Sequence, residues 1–355
     1  MSTRWLASSL VLGLFVGGSL TGAGAKGQAP SSGGARPGFH HLHMNSPNPS
    51  AAVAELIAVY PASTRVTQAG LAGIRSANGV TILFTAVNRP PGAPGPDRVS
   101  DAAPQTAFWH HVWATTEARR ALAQLRAKIR DFDQTRFIPQ YAGPEGHTVD
   151  FSSDTFPGFL TTREVKDARL QGLVPPRRGG YFNWYGPDGV IMETADGGPE
   201  AYRIVGMFQE QPYCAVLWYR HHLNAGDVPS TAERRGQTVE RAPISAATCQ
   251  VSRGSEVSWP STYKRGHYRV PSAQSVFFDD VQLRWYMNQE DRPLAPTRGQ
   301  LMDHIALSVV GLDAWVARLR GEGVRFLEPE YKFGESRAVL IEGPSREAIE
   351  LVETR

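Results

Sequence analysis

The chain has only two cysteines, Cys214 and Cys249, in 355 residues. That excludes a multi-disulfide scaffold and an all-thiolate zinc site, which needs four sulfurs. Whether the two are bonded or free is left open by their number alone. Charge of one sign is also scarce: Lys and Arg total 37 against 34 for Asp and Glu, a net +3. With no dense basic run, nothing favours a nucleic-acid partner. The sequence has no P-loop, no nucleophile elbow, no HExxH and no GxGxxG fingerprint, so the common nucleotide, acyl-transfer and zincin chemistries have no footing. Long helices are disfavoured by 35 glycines and 26 prolines, which call for many turns and short strands.

The one long apolar run lies at the start. Arg4 precedes an apolar stretch from Trp5 to Val16, and Ala23-Gly24-Ala25 forms a small-x-small cleavage site, the pattern of a signal peptide over residues 1–25. The run is too short to span a bilayer. Residues 26–38 are rich in Gly, Ser and Pro and read as a flexible leader. A secreted or periplasmic protein with no membrane partner is the expectation.

What is present in quantity is repetition. Sliding His110–Arg126 onto His304–Arg320 superposes His on His, Ala123 on Ala317, Leu125 on Leu319 and Arg126 on Arg320. Sliding His41–Leu56 onto the same segment superposes His41 on His304, Val53 on Val316 and Leu56 on Leu319. A fourth copy starts at Ile204, with Gly206 in the place of His43. Each copy reads as a short strand, a tight turn, and a helix with apolar residues at i, i+3, i+4 spacing. Strand-like runs follow at Val80–Val87, Gly180–Glu193, Val276–Met287 and Val339–Val352. Four units emerge, over about 38–95, 105–196, 200–292 and 299–355. Insertions at about 137–179 and 226–274 read as surface loops or lids.

These residues resemble the vicinal oxygen chelate superfamily, which includes glyoxalase I, fosfomycin-resistance thiol transferases, extradiol dioxygenases and bleomycin-resistance proteins. The resemblance covers nearly all of the chain beyond the leader. It implies an α+β fold of four βαβββ modules paired into two cupped-sheet halves, with a His at the start of a module's first strand and a Glu in its last. Glu193 and Glu350 both follow a Gly-Pro turn, Gly186-Pro187 and Gly343-Pro344, as that pattern requires. Consecutive pairing gives a first half over 39–197 and a second over 198–355.

On that pairing His41, His110 and Glu193 form a facial triad with open positions. The second half keeps His304 and Glu350 but has Ile204 for its other His, and is expected to be metal-free. Strand alternation places His43 beside His41 in the cup, with His40 and His111 facing away. His43 is thus a candidate to donate to or accept from a bound oxygen. Tyr185, on the strand leading to Glu193, and His147, in the first insertion, are further catalytic candidates. His221 and His222 read as helix surface. No Asp or Glu stands between Glu55 and Asp97, so module one offers no second glyoxalase-type Glu, and the ligand place falls near Phe84.

The function this implies is that of an exported metalloenzyme acting on a small vicinal-oxygen substrate. With Fe2+, the favoured ion, the pattern is extradiol dioxygenation. With Mn2+, Zn2+, Ni2+ or Co2+ the same triad suits a Lewis-acid lyase or isomerase. A metal-independent small-molecule binder is the remaining class.

Overall fold

The computed structural model describes residues 35–88, 105–138, 141–142, 148–151, 153, 162–174, 179–238, 244–247, 249, 275–287 and 293–354. The signal-peptide reading, residues 26–34 of the leader and His147 lie outside them.

Module one runs β1 (Gly38–Ser46), α1 (Pro49–Val59), β2 (Thr64–Gln68), β3 (Leu71–Arg75) and β4 (Thr81–Ala86). Module two runs β5 (Phe108–Thr115), α2 (Ala118–Lys128), α3 (Phe132–Thr135), β6 (Phe137–Ile138), the small ladder β7 (Tyr141–Ala142) and β8 (Thr148–Val149), α4 (Thr162–Leu170), β9 (Tyr181–Tyr185) and β10 (Ile191–Asp196). Module three has β11 (Ala201–Gln209), α5 (Pro212–Leu223), α6 (Ser230–Glu233), β12 (Ser275–Phe278) and β13 (Val281–Met287). Module four has β14 (Met302–Val309), α7 (Leu312–Gly321), β15 (Phe326–Phe333), β16 (Ser336–Glu342) and β17 (Ala348–Glu353). The fold is α+β, and modules one and four show the βαβββ order in full. No described helix is long and apolar enough to cross a membrane.

The helices form where the repeat pattern places them. Asn48 caps α1 by accepting from the Ala51 N–H, and Pro49 and Pro212 open α1 and α5, where a missing N–H costs nothing. The helices bury one stripe each: Ala52, Val53 and Leu56 on α1, and Leu312, Trp315 and Leu319 on α7.

The modules do not pair consecutively. One sheet has the order β15-β16-β17-β14-β1-β4-β3-β2, so module one joins module four. The other has β12-β13-β11-β5-β10-β9-β6, joining modules two and three. The expected halves, 39–197 and 198–355, therefore do not correspond to sheets. In each sheet two first strands run antiparallel at the centre, β1 with β14 and β5 with β11.

One side of each sheet faces a shared core. Leu42, Met44, Ile305, Leu307 and Ile349 from the first sheet and Trp113, Val205, Met207 and Met192 from the second belong to one apolar cluster. Tyr60 stacks on Trp113 at 4.2 Å, and its hydroxyl meets Thr194 Oγ1 at 2.9 Å. The leader is anchored at its end: Arg36 pairs with Glu233 at 2.5 Å, and Gly38 already belongs to β1. Cys214 and Cys249 form a disulfide, tying α5 to the second insertion.

Candidate metal centre

The central ladders contain four bulges. Between Phe39↔Leu307 and His41↔Ala306, the extra residue is His40; between His43↔His304 and Met44↔Met302 it is Asp303. The second sheet repeats this with Trp109 and Arg203. Each bulged residue directly precedes a repeat-marked position: 41, 110, 204 or 304. A bulge bends its strand and re-aims the adjacent side chains.

In the first sheet this gathers His41, His43 and His304, whose ring nitrogens come within 4.8 Å of one another. Glu350 arrives from β17, where it pairs with Ala306. Its Oε2 lies 3.5 Å from His41 Nε2 and 3.7 Å from His304 Nε2. All four side chains are buried. Those three atoms, His41 Nε2, His304 Nε2 and Glu350 Oε2, have no hydrogen-bond partner. An unsatisfied buried polar atom costs about 1–3 kcal/mol. Two ring nitrogens within 3.7 Å of one carboxylate oxygen fit a divalent ion, whose N and O ligands at about 2.0–2.2 Å stand roughly 3.0–3.5 Å apart.

The surrounding groups hold these candidate ligands in place. Asp303 Oδ1 meets His304 Nδ1 at 2.6 Å, leaving Nε2 to face the site. Asp303 is itself fixed by Arg298 at 2.7 Å and by the Gly299 N–H at 2.6 Å. Tyr331 donates to Glu350 Oε1 at 2.5 Å. Phe333 stacks on His41 at 5.1 Å and 16°. His43 shares a hydrogen bond with Thr85 Oγ1 at 2.7 Å through Nε2, while its Nδ1 has no partner. Hydrogen-bonded outer groups of this kind orient ligands and tune metal affinity.

Charge favours a cation. Burial, then the neighbouring His304, His40 and His43, hold His41 well below the usual imidazole range. Burial and His304 push His43 down to about 3. Burial opposes the ionised forms of His304 and Glu350, yet Asp303 raises His304, and His304 with Tyr331 lowers Glu350. The neutral imidazoles of His41 and His43 stand beside the ionised carboxylate of Glu350, while His304, raised by Asp303 and Glu350, gives up a proton when it ligates.

The expected triad His41, His110 and Glu193 is not brought together, because His41 belongs to the first sheet and the other two to the second. His110 Nε2 lies 3.8 Å from Glu193 Oε2. Strand register shows what accompanies them. Ile204 pairs with Val112 as His304 pairs with His43, and Arg284, paired with Gly206, takes the carboxylate's place. A Cβ on Gly206 would lie 2.3 Å from the His110 ring, so that ring fills the position His43 holds in the first sheet. One His, one Glu, an Ile and an Arg do not make the same ligand set.

Register also places Leu83 opposite His43, just as Glu350 lies opposite Ala306. The fourth ligand place is thus Leu83, with Phe84 in the core. Tyr185 lies on β9 of the second sheet, beside the strand of Glu193 and away from β1, β14 and β17. His111 is fully buried among core side chains near Tyr202. His222 pairs with Glu322, whose carboxylate also takes Arg318. His40, expected to face away, shares the site face because of its bulge, with its ring 5.0 Å from that of His41.

No protein-family model matches the sequence, and no curated protein matches it. Solved structures do. Glyoxalase I from Zea mays is 9% identical, covering 89% of this chain and 92% of that one, with a TM-score of 0.49. A putative dioxygenase from Bacillus subtilis is 12% identical over 90% of this chain and 86% of its own, with a TM-score of 0.48. A fosfomycin resistance protein from Listeria monocytogenes, complexed with Mn(II) and a dihydroxypropylphosphonic acid, is 14% identical over 43% of this chain and 90% of its own, with a TM-score of 0.26. All three are of kinds that the vicinal oxygen chelate superfamily includes.

Proposed function

We propose that the chain is a divalent-metal enzyme acting on a small vicinal-oxygen substrate, with His41, His304 and Glu350 as ligands and extradiol-type ring cleavage as the reaction. The observation that carries it is three buried ligand atoms without a hydrogen bond, His41 Nε2 and His304 Nε2 standing 3.5 and 3.7 Å from Glu350 Oε2. An ion held there would supply Lewis acidity and, as Fe2+, open positions for oxygen and substrate.

The chain's own residues favour a flat ligand. Ala306, Ala338 and Val352 pack with Tyr331 and Phe333 into an apolar floor on the site face. That floor suits an aromatic ring whose oxygens point to the triad. His43 stays neutral, so it serves as a hydrogen-bond partner to a substrate oxygen and not as a resident acid. Leu83 stands where a second carboxylate base would be needed for glyoxalase-type isomerisation, which counts against that reading. Export is part of the proposal, and the Cys214–Cys249 disulfide supports it, since such bonds persist in oxidising compartments.

The test is anaerobic reconstitution with Fe2+, followed by oxygen uptake over a panel of catechols. Uptake that vanishes in His304→Ala supports the reading. No uptake with any diol, despite stoichiometric metal, moves the assignment to a Lewis-acid reaction. No bound divalent metal removes both.

A further inference from the structure

The two ligand histidines are related by the pseudo-twofold of the sheet, yet their outer partners differ. Behind His304 stands the bulge residue Asp303, an acceptor only. Behind His41 stands the bulge residue His40, with Nδ1 facing Nδ1 at 2.7 Å. A short contact between two ring nitrogens holds one proton, and its location sets the tautomer of both rings. On His41 Nδ1, the proton leaves Nε2 with a bare lone pair directed at Glu350 and the metal position. On His40 Nδ1, it forces the neutral His41 to carry its hydrogen on Nε2, and the ligand is lost.

The far side of His40 decides between these settings. Its Nε2 lies 3.3 Å from the amide nitrogen Nε2 of Gln68 on β2, the orientation in which Gln68 donates and His41 is withdrawn. A half-turn of that amide exchanges its donor and acceptor ends. With Oε1 toward His40, Gln68 accepts from Nε2–H, His40 Nδ1 becomes an acceptor, and His41 takes the ligating tautomer. With Gln68 Nε2–H donating to His40 Nε2, as in the structure, the chain runs the other way.

We propose that His40 is the positioning residue of His41, and that Gln68, His40 and His41 form a tautomer relay that presents or withdraws His41 Nε2 as a ligand. This rests on the proposed metal centre. The Asp303–His304 pair has one setting, so the module-four arm is fixed and the module-one arm is switchable from a residue on β2. His40 also packs edge-on against Phe333 at 5.6 Å, a contact an aromatic replacement retains.

The full chain is titrated with Zn2+ as the probe, against a chelator competitor, at constant pH. His40→Phe keeps the ring and removes the acceptor, and is expected to weaken binding about 10–100-fold. His40→Asn returns a neutral acceptor and is expected to bind within a few-fold of the wild type. Gln68→Leu is expected to fall between them. In parallel, nitrogen chemical shifts of His41 in the metal-free protein report its tautomer, which should shift toward Nε2–H in His40→Phe and back in His40→Asn. Equal affinity in all variants, or equal loss in His40→Phe and His40→Asn, overturns the relay while leaving the metal centre standing if His304→Ala still abolishes binding. If the wild type binds no Zn2+, the metal centre falls. The tautomer shift then decides the relay alone, and an unchanged His41 in His40→Phe overturns it.

Discussion

His43 and His304 lie face to face across the β1–β14 ladder, ring centroids 4.4 Å apart and 19° from parallel. The pair exists because module four, not module two, lies beside module one. Antiparallel pairing brings the marked position of one strand opposite the second inward position of the other. Everything proposed for the site descends from that register.

The first consequence concerns metal content. Elemental analysis of the purified chain should find about one divalent ion. His41→Ala, His304→Ala and Glu350→Ala should each abolish it, whereas His110→Ala and Glu193→Ala should leave it nearly intact. Loss in His110→Ala with retention in His304→Ala would move the site to the other sheet.

Tyr331 gives a graded test. Its hydroxyl holds Glu350 Oε1, so Tyr331→Phe frees the carboxylate to rotate without removing a ligand. Metal affinity should fall about 10–100-fold while the fold is kept, as measured by chelator competition together with circular dichroism.

Glu347 makes stability depend on pH. It is fully buried, accepting from Tyr219 at 2.7 Å and from the Ser345 N–H at 2.6 Å. Burial pushes its carboxyl up from 4.5 to about 7. The folded-state value lies above the unfolded one, so its contribution is full below about 4.5 and is lost as pH rises through about 7. At about 1.4 kcal/mol per unit, the loss is on the order of 3 kcal/mol. Urea unfolding of the wild type and Glu347→Gln across this window should show the difference between them shifting in favour of the variant as pH rises. A constant difference would contradict it.

Gly206 tests the second sheet. A methyl group there would press on the His110 ring. Gly206→Ala should therefore cost about 1–3 kcal/mol of stability. Metal content should not change, because the ligands lie on the other sheet.

The marked positions were legible in the sequence. Each of the residues 41, 110, 204 and 304 starts the central part of a first strand, and the apolar spacing found α1, α2, α5 and α7. Pairing was not legible, because similar modules offer similar edges, and repetition alone cannot distinguish consecutive from nested partners. A signal was nonetheless present in the donors. Only the pairing of modules one and four assembles His41, His43, His304 and Glu350. The bulges were hidden for another reason: strict period-two alternation sent His40 to the wrong face, and one extra residue on β1 returned it. Leu83 was displaced by one position for want of the β1–β4 register.

The nested arrangement sets an order of assembly. Modules two and three are neighbours in the chain and can close their sheet while module four is still being made. The centre at His41 must wait for β14 and β17, with loop closure across both inner modules. On the proposed metal centre, metal capture would then report that module four has been made. A chain stopped before β17 has His41, His43 and His304 but not Glu350, and would lack the stabilisation an ion at the proposed centre would give.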